Sequence, residues 1–167
     1  MRIYNVQIAF NFLHIMNPHF LNKRLSHLLG FAGLIPFVLL LLGTCLADPL
    51  WIAAFVRGQL AYGMVILSFL GGIHWGAAML SADLSLKHTK QALIWGVIPS
   101  LIAWTATLLE GFGFALLMAG FIVAWQVDKA LYKHYGMPEW LLTLRTLLTT
   151  AVVLLLAATV AGANLRG

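Results

Sequence analysis

The apolar positions of this chain fall in long unbroken blocks, without the alternation of a half-buried strand or the stripe of a surface helix. Residues 28–47, LLGFAGLIPFVLLLLGTCLA, run for twenty positions without a charge. At about 1.5 Å of rise per residue, a helix of that length crosses a hydrocarbon layer roughly 30 Å thick. Four further blocks follow: 58–82 between Arg57 and Asp83, 91–109 between Lys90 and Glu110, 111–127 between Glu110 and Asp128, and 146–165 between Arg145 and Arg166. The pattern predicts an all-α polytopic membrane protein, a bundle of five transmembrane helices with short loops. Pro36 and Pro99 fall inside the first and third blocks and predict kinks, whose freed carbonyls neighbouring groups must satisfy. Asp48-Pro49 closes the first block, Pro138 suits the first turn of a helix, and Trp51 and Trp140 stand where interfacial aromatic residues belong.

Composition agrees with the blocks: 62% of the 167 residues are hydrophobic and 9% are charged, where a soluble domain is about a quarter charged. The distribution of the ten Lys and Arg residues gives an orientation. Arg2, Lys23 and Arg24 precede the first block, Lys87 and Lys90 follow the second, and Lys129, Lys133 and Arg145 follow the fourth. These segments lie on one side, leaving only Arg57 and Arg166 opposite, so the N-terminus is expected to be cytoplasmic and the C-terminus outside. The net charge of +5 is explained by this bias and by attraction to anionic headgroups, with no motif that would bind nucleic acid. A single cysteine, Cys45, excludes an intramolecular disulfide and a cysteine-rich metal site.

Residues 1–27 form a cytoplasmic tail ahead of the transmembrane domain 28–167. Their apolar stretch is broken by Asn11, His14 and Asn17 and lacks the small-residue cleavage site of a signal peptide. Met16 would make a natural start, so residues 1–15 are read as a dispensable extension or, failing that, an interfacial segment.

Helices in lipid associate where small residues let backbones approach. Ser68, Gly72 and Gly76 recur every four positions on the second span, and Gly120, Ala124 and Asp128 do the same on the fourth. Gly96 and Ser100 mark the third span, Ala158 and Gly162 the fifth. At 100° per residue, His74 lies opposite the Ser68–Gly72–Gly76 stripe and shares a face with Leu67, Gly71, Ala78 and Ser81. A helix carrying both faces is expected at the centre of the bundle.

The segments YGMVILSFLGGIHWG, VIPSLIAW and PEWLLTLR resemble the signatures of a family of small five-helix membrane proteins of unknown function. That family occurs in proteobacteria and includes mitochondrial transmembrane protein sixty-nine. The resemblance runs from about Leu29 to Leu155 and is most specific at the histidine–tryptophan block; it departs at Leu141, where the family pattern has tyrosine. It implies five spans and a bacterial inner-membrane location, which would make the outer side periplasmic. It supplies no activity.

His74 is the ionisable group inside a span, and such a group is a functional hypothesis by default. One reading is a neutral imidazole bonded to Ser100, Gln126 or a carbonyl freed by Pro99. The other is a ligand or proton role, in which His74, Trp75, Ser100, Trp104 and Tyr62 line a slot for a quinone or haem. Bis-histidine haem ligation lacks a second intramembrane histidine, and no H-x-x-x-H or HExxH spacing offers a metal site. A Ser100–His74 hydrolase lacks a nucleophile motif and oxyanion donors. Asp128 continues the Gly120–Ala124 stripe and faces a neighbour, where Lys129, Arg145 or His88 would pair with it; otherwise Asp128 and Arg145 are charged boundary residues. Acids elsewhere sit at block ends, and no inverted repeat appears, which argues against a secondary transporter.

No complete catalytic set is present, so no catalytic residue is assigned, and the cofactor is unknown. The expected role is a structural or assembly one in an energy-transducing membrane, with lipid, other membrane subunits or a second copy as partners. The alternative is a hydrophobic-ligand binder centred on His74.

Overall fold

The structure is a computed structural model that describes residues 19–81, 84–109 and 111–166. The extension at 1–15 and the boundary acids Asp83 and Glu110 lie outside the described residues. Among those residues all regular structure is helical: α1 (His19–Ala32), α2 (Ile35–Leu46), α3 (Pro49–Leu80), α4 (Leu86–Leu108), α5 (Gly113–Leu131) and α6 (Glu139–Arg166). Five spans long and apolar enough to cross a membrane result, because α1 and α2 together make the first, from Lys23 to Leu46.

The break between α1 and α2 falls at Gly33–Leu34, just ahead of Pro36. Proline has no N–H to donate to the preceding turn, and the chain tightens there, with Leu34 N bonded to Phe31 O at 3.0 Å. The Tyr62 hydroxyl, on α3, donates to the Gly33 carbonyl at 3.0 Å. A polar group at the kink is thereby met from a neighbouring helix, as a helix in lipid requires.

Four helices begin ahead of their charge-free blocks, and in α3 and α6 the extension takes an arginine into the helix. α3 starts at Pro49, capped by the Asp48 carboxylate accepting from Leu50 N at 2.9 Å. Arg57, read as the edge of the second span, is an exposed residue within this helix of 32 residues. At about 1.5 Å per residue α3 is longer than a hydrocarbon core is thick, so its first turns hold an arginine that can reach the interface. α6 likewise starts at Glu139 and carries Arg145 inside it. Arg145 is thus no boundary residue but a buried one.

α3 is the central helix, packed against α2, α4, α5 and α6. Its tightest contact is with α4, where a Cβ on Gly71 would lie 2.5 Å from the Gly96 carbonyl oxygen. The core is apolar, built from Phe37, Leu67, Leu117, Phe121 and Leu156. Leu39, Val65, Phe69, Ile94 and Leu154 point outward and are exposed, the surface that hydrocarbon solvates. At one end the Arg166 guanidinium donates to the carbonyls of Thr44 and Ala47 at 2.8 Å each, closing the C-terminus of α2. Toward the other end lie the buried ionisable groups His74, Asp128 and Arg145.

Candidate functional site

Four helical and loop elements converge near the end of the bundle formed by the loop between α5 and α6. The inward face of α3 carries Leu67, Gly71, His74 and Ala78, all buried, and His74 is fully enclosed. Gly120, Ala124 and Asp128 form the inward face of α5, also buried. A Cβ on Gly120 would meet Leu67 Cδ2 at 2.7 Å, so the absent side chain is what lets α5 close on α3. That closure brings His74 Nε2 to 2.9 Å from Asp128 Oδ1. Arg145 Nε on α6 donates to Asp128 Oδ2 at 2.7 Å. Tyr135, in the loop, sets its hydroxyl 3.0 Å from His74 Nδ1. Tyr132 packs beside the imidazole, with ring centroids 5.9 Å apart.

Charge balance assigns the protons. Asp128 is 1% exposed and Arg145 7%. One carboxylate against one guanidinium is neutral, while a protonated imidazole would leave a second cation without a counter-charge in low dielectric. A neutral His74 satisfies every contact: Nε2–H donates to Asp128, and Nδ1 accepts from the Tyr135 hydroxyl. The two tyrosines stay protonated in the same field. Burial, with the Asp128 carboxylate adding to it, pushes the Tyr135 hydroxyl up to about 12. The same two causes hold Tyr132 above its ordinary value.

Beside this cluster lies a cavity of about 430 Å³ between the first span and α3, α5 and α6. Its wall is apolar except for Ser26 of α1 and for α6, where Arg145 and Thr149 line it one helical turn apart. Arg145 Nη2 and Thr149 Oγ are both buried and have no hydrogen-bond partner among the described residues. Space for the cavity comes from the first span, where Gly30 and Gly33 present no side chain to it.

The five residues expected to line a slot do not converge. Trp75 turns away from the His74 face, donates Nε1–H to the Leu93 carbonyl at 2.8 Å and lays its ring over Gly96. Ser100 is half-buried, Gln126 is exposed, and neither is a partner of His74, whose bonds go to Asp128 and Tyr135. Trp104 is exposed, and Tyr62 is spent on the kink. Nor do Gly72 and Gly76 dock within the chain: both are exposed, and a Cβ on either would meet nothing within 4 Å. The close approach belongs to Gly71, a step of 100° round the helix; Ser68 is half-buried. Asp128, offered as a boundary anchor, is buried and pairs with Arg145 and with His74.

Sequence reasoning missed the His74–Asp128 bond, Tyr135 and Thr149. The Gly120–Ala124–Asp128 spacing already aimed Asp128 inward, and the spacing of Arg145 and Thr149 puts both on one face of α6. Tyr135 gave no signal, because its place depends on a loop containing Gly136 at φ 65°.

Five spans around a buried His–Asp–Arg cluster define a polytopic membrane protein with a polar centre inside its bundle. The chain belongs to the family described as Protein of unknown function (DUF3429), which it matches over residues 22–161. It is 36% identical over 132 residues to Transmembrane protein 69 of Xenopus tropicalis, covering 75% of this chain and 49% of that protein. It is 32% identical over 128 residues to Transmembrane protein 69 of Mus musculus, covering 71% and 48% respectively. The chain therefore spans about half the length of the curated relatives it matches. No solved structure matches it.

Proposed function

We propose that the protein is a membrane-embedded binding protein for a small lipid-soluble ligand, held in the cavity beside Arg145. The observation that carries this reading is a largely apolar cavity of about 430 Å³ lined on one wall by Arg145 and Thr149, each of which holds a buried polar atom without a hydrogen-bond partner. Binding sites for small molecules are mostly apolar hollows of some 300–1,000 Å³ with a few placed polar groups, and buried donors left unpaired are costly unless something meets them. The site is centred on Arg145 and Thr149, with His74 acting through Asp128 to hold the guanidinium in place. Haem does not fit His74: both ring nitrogens are engaged, so iron would have to displace Tyr135 or Asp128. The Lys and Arg bias supports a cytoplasmic N-terminus, which would put this site in the cytoplasmic half of a bacterial inner membrane.

The test is organic extraction of protein purified in mild detergent, followed by mass spectrometry, alongside Gly30→Met, whose flexible side chain would fill the cavity. A stoichiometric small molecule in the parent and its loss in Gly30→Met are expected. An equal yield from both proteins would refute the reading. A second reading, a subunit that docks a partner helix, is favoured by the exposed Gly72–Gly76 surface. It predicts that Gly72→Leu changes the native mass of the complex while leaving the monomer's stability alone.

A further inference from the structure

The charge state of the cluster restricts what the cavity can hold. Asp128 spends Oδ1 on His74 and Oδ2 on Arg145 Nε. Its single negative charge already balances Arg145, and the other titratable groups around it, His74, Tyr132 and Tyr135, are neutral in the arrangement derived above. A carboxylate or phosphate brought to Arg145 Nη2 would be a second anion beside Asp128, with no further cation among the described residues that line the cavity to offset it. Buried charge without a partner is strongly unfavourable. The free groups are nevertheless donors: guanidinium N–H has no acceptor capacity, and the Thr149 hydroxyl has its proton available. Arg145 and Thr149 are 7% and 6% exposed, so bulk water does not reach them freely. Two donors from residues one turn apart on the same helix suit one oxygen with two lone pairs and no charge.

We infer that the ligand's polar end is an uncharged carbonyl oxygen, of the quinone or ester kind, received by Arg145 Nη2 and Thr149 Oγ. The inference rests on the cavity being a binding site. The rest of the molecule is mostly hydrocarbon, because the remaining wall, Phe37, Leu70, Phe121 and Val152 among it, is apolar but for Ser26. Entry is from the lipid, since the lining residues Leu29 and Phe69 are exposed on the outer surface.

The experiment titrates the full chain in detergent micelles with four probes of similar size: a decyl-benzoquinone, a short-chain diacylglycerol, decanoate and decane. Decane reports the cavity alone. The expected result is saturable binding of decane and of at least one carbonyl probe, with decanoate at least tenfold weaker than that probe. Thr149→Val should weaken the carbonyl probe about tenfold, the size of one lost hydrogen bond, and leave decane unchanged. Thr149→Ser, which keeps the hydroxyl, should restore the affinity. Which carbonyl probe binds tighter identifies the source as quinone or ester. Decanoate binding as tightly as the carbonyl probes would overturn the inference, as would a Thr149→Val protein with full carbonyl affinity; in either case decane binding leaves the cavity reading standing. Failure of all four probes, decane included, overturns both.

Discussion

Replacing Asp128 by Asn removes the one negative charge in the buried cluster and keeps nearly the same volume. The Asn oxygen can still accept from His74 Nε2, but the guanidinium 2.7 Å from the other position loses its counter-charge. Taking away one member of a buried ion pair costs about 3–5 kcal/mol, chiefly because the remaining charge is stranded. In a bilayer or micelle the unfolded reference also finds partners for polar groups, which pulls the figure toward the lower end. Asp128→Asn is therefore expected to cost about 3 kcal/mol. Arg145→Met, which leaves the carboxylate with only the imidazole, should cost a similar amount. The double variant contains neither charge and retains the His74 bond, so it should be more stable than the two single losses added together, by about 2 kcal/mol. The assay is denaturant unfolding in micelles, followed by tryptophan fluorescence across the full cycle. Losses that add to within about 0.5 kcal/mol would show that the two groups do not interact, and the charge assignment would fall with them.

Gly71→Ala should destabilise the monomer by about 1–3 kcal/mol, since its Cβ meets backbone at Gly96 and the helices must part. Gly72→Ala, facing open space, should be neutral within error in the same melt. Because the Tyr135 hydroxyl is held above its ordinary value, its contribution to stability is complete below about pH 10. It is lost as pH rises toward about 12, so Tyr135→Phe should flatten the alkaline limb of a stability–pH curve; an unchanged limb would sink that assignment. Reporter fusions should place the loop at 132–138 inside and residue 167 outside, and an inactive C-terminal phosphatase fusion would reverse the orientation.

The five spans were legible because hydrocarbon excludes charge, and absence of charge over twenty positions is hard to miss. The helix ends depart from the charge-free blocks at Arg57 and Arg145 for one reason: a charge does not by itself end a helix. Arg57 is tolerated within α3 because it is exposed near the end of a helix longer than the hydrocarbon core, and Arg145 because Asp128 neutralises it. Helical geometry alone put His74 on a face with Leu67, Gly71 and Ala78, and those residues are buried together. Geometry within one helix says nothing of which helix lies opposite or at what depth. His74 and Asp128 are 54 residues apart in sequence, and only the stacking of α3 on α5 brings them into contact. Spacing favours the Ser68–Gly72–Gly76 stripe of α3 as the docking face and gives Gly71 no such role. Only the packing of Gly96 and Trp75 decides that Gly71 is the one used.

The cluster is an expensive way to hold three helices together. Desolvating two ions can exceed the attraction between them, and apolar side chains of similar volume often do as well or better. Nothing in the packing of α3 against α5 demands it, since Gly120, Ala124 and Leu67 already bring those helices into contact. What the cluster does that leucines would not is fix a guanidinium: Nε is tied to Asp128, Asp128 is tied to His74, and His74 is braced by Tyr135. The group so held still has an unpartnered nitrogen, and that nitrogen belongs to a residue lining the cavity. A purely structural ion pair would be expected to spend its donors internally, because each one left over adds a desolvation cost. The surplus at Arg145 and Thr149, both at the same wall, is what turns the cluster from a stability problem into a binding argument.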